Sequence, residues 1–183
     1  MGAMREPSTV VGEPRPAARR TAGWAVHAAA AWALVFAAMS FYWAAGGTLG
    51  SSTMSDAIVE PARAREPRFV ALLWTSGALK AIAGLLALAL VRPWGRLLPR
   101  WVPLTATWVA GVGMLLYGAA NLAVRAAMAA GLLATPGSMH SDAARWHLLL
   151  WDPWWVLGGV LFVLAAWSSR RRGSHGLGRR IGC

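Results

Sequence analysis

The sequence predicts an all-α polytopic membrane protein, an antiparallel bundle of four transmembrane helices. Three observations carry that expectation. Hydrophobic residues make up 57% of the 183-residue chain and charged residues only 14%, whereas a soluble domain carries about 25% charged residues. Nearly all of the charges stand clear of four apolar stretches of about 20 residues each, the length that crosses a hydrocarbon core. Arginine also alternates from one connection to the next, as four antiparallel spans require.

The first span reads as residues 24–45. Residues 1–21 before it are rich in Pro, Arg and Ala without apolar periodicity, and read as a disordered cytoplasmic tail. The apolar stretch from Ala22 to Ala45 outruns the roughly 7–15 residues of a signal-peptide core, so it reads as a retained helix. Glu6 stands where a myristoylation signal needs Ser or Thr, which argues against that anchor. The second span reads as 69–91. The third reads as 103–124, opening on Pro103, because a first helical turn tolerates a missing N–H. The fourth reads as 146–167. Residues 22–168 thus make one transmembrane domain, and 169–183, "SRRRGSHGLGRRIGC", read as a disordered basic cytoplasmic tail.

Four arginines lie in the N-terminal tail, three in the second connection and five in the C-terminal tail. The first and third connections hold five together, accompanied by Asp56, Glu60, Glu66 and Asp142. That asymmetry places both termini in the cytoplasm and the chain in the cell membrane. It also explains the net charge of +11 without nucleic acid, since no basic stripe is interleaved with aromatics. The one cysteine, Cys183, leaves no intrachain disulfide, redox CxxC or thiolate metal site. His140 and His147, with Asp142 between them, lack the spacing of a helical metal pair, and no metal site is expected. No phosphate loop, nucleophile elbow or dinucleotide fingerprint occurs, and the residues name no cofactor.

Most of the twelve tryptophans fall near span ends, where indole prefers the headgroup region. Trp32 alone is clearly mid-span. Two ionisable residues remain inside the apolar stretches, Lys80 and Asp152, and such charges tend to face a protein interior. Gly77 and Gly84 flank Lys80 at helical spacing with Ser76 beside it, the small-residue face on which membrane helices pack. Lys80 is therefore expected to look into the bundle. Asp152 lies ~9 Å below the outer end of its span and Lys80 ~16 Å below that of its own. Both side chains lean outward and the lysine stem can climb, so a Lys80–Asp152 ion pair is expected. Asp152-Pro153 has a second reading, an N-cap followed by proline at the first helical position. A helix starting there would be only ~15 residues long, which favours a continuous but kinked fourth helix.

On the third span Gly113, Tyr117, Asn121 and Arg125 repeat at four-residue spacing on one face. The first supplies Ser40, Tyr42 and Trp43, then Gly46-Gly47 at its outer mouth. Convergent polar groups in an aromatic-walled cavity are the default binding site. The candidate ligand-binding residues are Lys80, Asp152, Asn121, Tyr117, Tyr42, Trp43, Trp151 and Trp155, with no catalytic residue assigned.

Two stretches, "FYWAAGGTLG" and "RWHLLLWDPWWVLGG", carry a family likeness. Through Tyr42-Trp43 with Gly46-Gly47, and Trp151-Asp152-Pro153-Trp154, the chain between Trp24 and Arg170 resembles small four-span membrane proteins of high-GC bacteria grouped under a domain of unknown function. The resemblance implies a four-helix membrane bundle and no particular substrate. Three functions fit the residues. The first is binding or transport of a small hydrophobic or lipid-like ligand in an outer-leaflet pocket. The second is an accessory subunit packed against another membrane protein. The third is a membrane-embedded isomerase handling protons through Asp152 and Lys80.

Overall fold

A computed structural model describes residues 16–54, 56–133 and 145–177. Those residues are helical throughout their ordered elements, with no strand among them. Helix α1 runs Pro16–Ala44, α2 Asp56–Arg63, α3 Pro67–Ala89, α4 Trp101–Ala129 and α5 Asp152–Leu177, the last preceded by a π-helical turn at His147–Trp151. Four segments, Gly23–Ala44, Pro67–Ala89, Trp101–Ala129 and His147–Arg171, are long and apolar enough to cross a membrane. Two expectations about the ends change. Helix α1 begins at Pro16, within the stretch read as a disordered tail, and α5 continues to Leu177, past the expected start of the second tail. His140 and Asp142 lie outside the described residues.

Helix α1 packs on two partners, α3 along one side of it and α5 along another, while α4 packs against α5 and only lightly against α3. Its sequence suits two partners. Alanines 30 and 33 form a shallow face on which Gly84 of α3 rests, and Phe41 lies against Gly77 one level higher. Backbones approach closely wherever such small residues meet, and dispersion contacts then accumulate over the length of the pair. The other face carries Trp32 and Phe36, which meet Trp154, Trp155 and Phe162 of α5. Trp32, 6% exposed, stacks on Trp154 at 5.5 Å between ring centroids, and Gly158 leaves the room its indole fills. The mid-span tryptophan is thus core rather than belt.

The α4–α5 seam rests on glycine. A Cβ at Gly118 would stand 2.8 Å from the backbone nitrogen of Val156, and one at Gly111 2.8 Å from that of Val163. On α5, Gly159 faces the backbone of Leu115 in the same way. Glycines 111 and 118 are seven apart, two turns along one face, and Arg125 continues that face by another seven. At the opposite end Arg100 donates to the carbonyl of Ser169 at 2.8 Å, tying the start of α4 to α5.

The helix is continuous through Asp152, whose backbone is α-helical at φ −67° and ψ −46°. Its N–H bonds the carbonyl of His147, five residues back, which is the π pattern. The cause is Pro153. It offers no N–H, and its ring would strike the carbonyl of Leu149 in an ordinary α-turn. Widening the turn before it removes that clash, so the chain keeps one long helix instead of starting a new one at Asp152.

Candidate functional site

Lys80 stands thirteen residues past Pro67 on α3 and faces α1, as its flanking glycines require. Its Nζ donates to Ser40 Oγ on α1 at 2.8 Å and to Ser76 Oγ on its own helix at 2.9 Å. The ammonium lies 4.0 Å from the centroid of the Phe36 ring and 6.0 Å from that of Trp155. Ser40 is buried and passes its own hydrogen to the carbonyl of Phe36 at 3.2 Å. Hydroxyl oxygens and the negative faces of aromatic rings both stabilise a cation, so this is a built seat for one. No carboxylate comes within ion-pair distance of Lys80 among the described residues.

The expected Lys80–Asp152 pair does not form. Asp152 pairs with Arg125 of α4, Oδ2 to Nε at 3.0 Å, and is itself 3% exposed. Packing order is the reason. Asp152 opens α5 on the seam with α4, the seam that Gly111, Gly118 and Arg125 share, while α3 barely meets α5. Lys80 reaches α5 only at Trp155, one turn deeper.

Trp155 is where the polar residues regroup. The Tyr117 ring of α4 meets it edge to face at 5.4 Å, so Lys80 and Tyr117 flank one indole from two different helices. Tyr117 is 56% exposed, and its hydroxyl has no partner among the described residues. Lys80, Tyr117 and Trp155 of the expected set therefore come together, joined by Ser40, Ser76 and Phe36.

The remaining candidates lie elsewhere. Asn121 donates to the Tyr117 carbonyl at 2.8 Å, a bond within its own helix. Tyr42 and Trp43 clasp the loop after α1: the Leu49 N–H donates to the Tyr42 hydroxyl at 3.3 Å, and Trp43 Nε1 donates to the Leu49 carbonyl at 2.9 Å. Gly46 and Gly50 give that loop its left-handed turns, at φ 101° and 80°. Trp151 donates from Nε1 to Thr53 Oγ1 at 3.3 Å and packs on Trp43 and Phe36, linking the π-turn to the same loop. Sequence reasoning set Ser76 beside Lys80 but left Ser40 with the first span, and it put Arg125 on one face with Tyr117 and Asn121 while counting it as a connection charge. The signal that would have found the α5 seam is the heptad from Gly111 through Gly118 to Arg125, which was not read.

This arrangement can hold an anion. Lys80 offers a positive charge already oriented by two hydroxyls, and Tyr117 offers a free O–H beside the same apolar wall. Comparison with known families adds membership but no chemistry: a family model described as "Protein of unknown function (DUF3995)" matches residues 33–162. No curated protein and no solved structure matches the chain.

Proposed function

Because the chain belongs to this DUF3995 family of proteins of unknown function, its role has to be read from its own residues, and we propose that it binds an acidic, lipid-like molecule in the bilayer beside Lys80. The ligand class is a long-chain carboxylic acid. Its carboxylate sits on the Lys80 ammonium, Tyr117 donates the second hydrogen bond, and its chain lies along the gap between α3 and α4 against Trp155. One observation carries the reading. The bundle holds a cation by neutral dipoles and rings, while the buried acid that would neutralise it is engaged by another helix. An unpaired charge in an apolar interior costs several kcal/mol, and a ligand anion removes that cost.

The arginine asymmetry supports the orientation proposed with it, both termini cytoplasmic and the α2 side outward. The isomerase alternative draws no support from this geometry, since Asp152 forms its ion pair with Arg125 and not with Lys80.

Titration of the detergent-purified protein with dodecanoate, followed calorimetrically, tests the proposal. Lys80→Met is expected to weaken binding by at least about tenfold, the contribution of one hydrogen bond to a charged group. Lys80→Arg should recover part of it, and Tyr117→Phe should cost about fivefold, as for a neutral hydrogen bond. Equal affinity in wild type and Lys80→Met would refute the reading.

A further inference from the structure

A second site lies at the α2 end of the bundle, away from the Lys80 seat. The loop after α1, the inner face of α2 and the first turns of α3 line a half-open cavity of about 220 Å³. At ~30 Å³ per water in the liquid, that is room for about seven waters or a comparable run of heavy atoms. Its walls are apolar, formed by Trp43, Ile58, Val59, Phe69 and Leu73 among others, and its polar side carries Arg63 and Arg65. Short, half-polar α2 shapes this space by turning Ile58, Val59 and Ala62 inward while Arg63 reaches the rim.

The two arginines are prepared differently. Arg65 is locked: its Nη1 donates to the carbonyl of Ala44 at 2.9 Å, capping the end of α1. Its backbone takes a left-handed φ of 53°, which a non-glycine residue adopts only when its surroundings over-determine it. The guanidinium is thereby fixed against Gly46, where even a Cβ would stand 3.1 Å from Nη1. Arg63 is exposed and has no partner among the described residues. Glu60 and Glu66 flank the pair in sequence, yet neither comes within ion-pair distance of either arginine. The cavity therefore presents one pre-oriented and one free guanidinium over an apolar floor.

We infer that this cavity binds an anionic phospholipid of the surrounding bilayer, with its phosphate on Arg63 and the outer edge of Arg65 and its glycerol end beneath Trp43. Guanidinium suits phosphate because its planar fork matches two oxygens at once. Apolar walls set a lipid above a free anion, and Leu72 and Trp74, the sequence neighbours of the cavity-lining Leu73, are exposed apolar side chains on which acyl chains can lie. The volume takes the headgroup region and leaves the chains outside. This site stands on residues other than those of the carboxylate seat, so either can fail alone.

The test uses the full-length protein in detergent, titrated with dihexanoyl-phosphatidylglycerol, dihexanoyl-phosphatidylcholine and inorganic phosphate, with binding read by native mass spectrometry and thermal stabilisation. Phosphatidylglycerol is expected to bind at least about tenfold tighter than phosphatidylcholine, and inorganic phosphate not measurably. Arg63→Gln should erase the preference, and Ala62→Trp, which fills the cavity, should abolish binding of both lipids. Arg63 is exposed, so its variant folds whatever Ala62→Trp does. An undiminished preference in Arg63→Gln, or phosphate binding as tight as the glycerol lipid, would overturn the inference. So would loss of the preference in Lys80→Met.

Discussion

Asp152→Asn is expected to destabilise the protein by about 3–5 kcal/mol, the usual cost of breaking a buried ion pair by removing one charge. The substitution keeps the volume of the side chain and removes the negative charge that Arg125 meets on α5. The cost should fall toward the lower end of that range, because the Arg125 side chain is 22% exposed and can draw some solvation of its own. Equilibrium unfolding in mixed micelles measures it. A double-mutant cycle isolates the pair: Asp152→Asn with Arg125→Gln should show coupling of about 1–3 kcal/mol. Asp152→Asn with Lys80→Met should be additive within about 0.5 kcal/mol, since those residues share no contact. Coupling to Lys80 in place of Arg125 would reverse the assignment.

Gly118→Leu is expected to disrupt the α4–α5 seam more than any conservative change on the exposed outer faces of the helices. The obstacle at Gly118 is the backbone nitrogen of Val156, 2.8 Å from where a Cβ would sit, with the Trp155 Cβ at 2.9 Å. Backbone cannot rotate out of the way as a side-chain tip can, so the helices must separate. Overpacking of this kind costs about 1–3 kcal/mol and more where relaxation is blocked. Separation would also pull Arg125 from Asp152, because both lie on the same seam. Gly113→Leu is the matched control: nothing stands within 4 Å of a Cβ there, and its effect should stay within about 0.5 kcal/mol. Similar losses at the two positions would mean that the seam does not run along Gly118.

Much of this architecture was legible in the chain. Length and hydropathy located the four long helices, because an apolar run of bilayer length leaves few alternatives. The inward aim of Lys80 followed from Gly77 and Gly84, and those glycines meet Phe41 and the alanines of α1. Trp32 differed from the other tryptophans by depth, and it is core. The partner of Asp152 was not legible. Register along the helix allowed both Lys80 and Arg125 to reach its level, and only the lateral order of the helices, α3 beside α1 and α4 beside α5, decides between them. Lateral order depends on which faces interlock, and pattern within a single helix does not encode it. Tyr42 and Trp43 show a related ambiguity: polar aromatics at a span end suit a ligand and a loop clasp equally until the loop is placed. Helix α2 escaped notice because eight residues with three charges and an internal proline read as a connection. Its role as the wall of a cavity emerges only when α1 and α3 stand behind it.

The sequence contains a single lysine, which makes the central claim open to direct measurement. Protein labelled with ¹⁵N at lysine Nζ gives one side-chain signal, and dodecanoate carrying ¹³C at its carboxyl gives one ligand signal. Solid-state dipolar recoupling in bilayers should place the two nuclei within about 4 Å, the separation of a direct ion pair. The coupling should persist in Asp152→Asn, since that acid takes no part in the seat. A bound carboxylate with no measurable coupling to the Lys80 nitrogen would contradict the account.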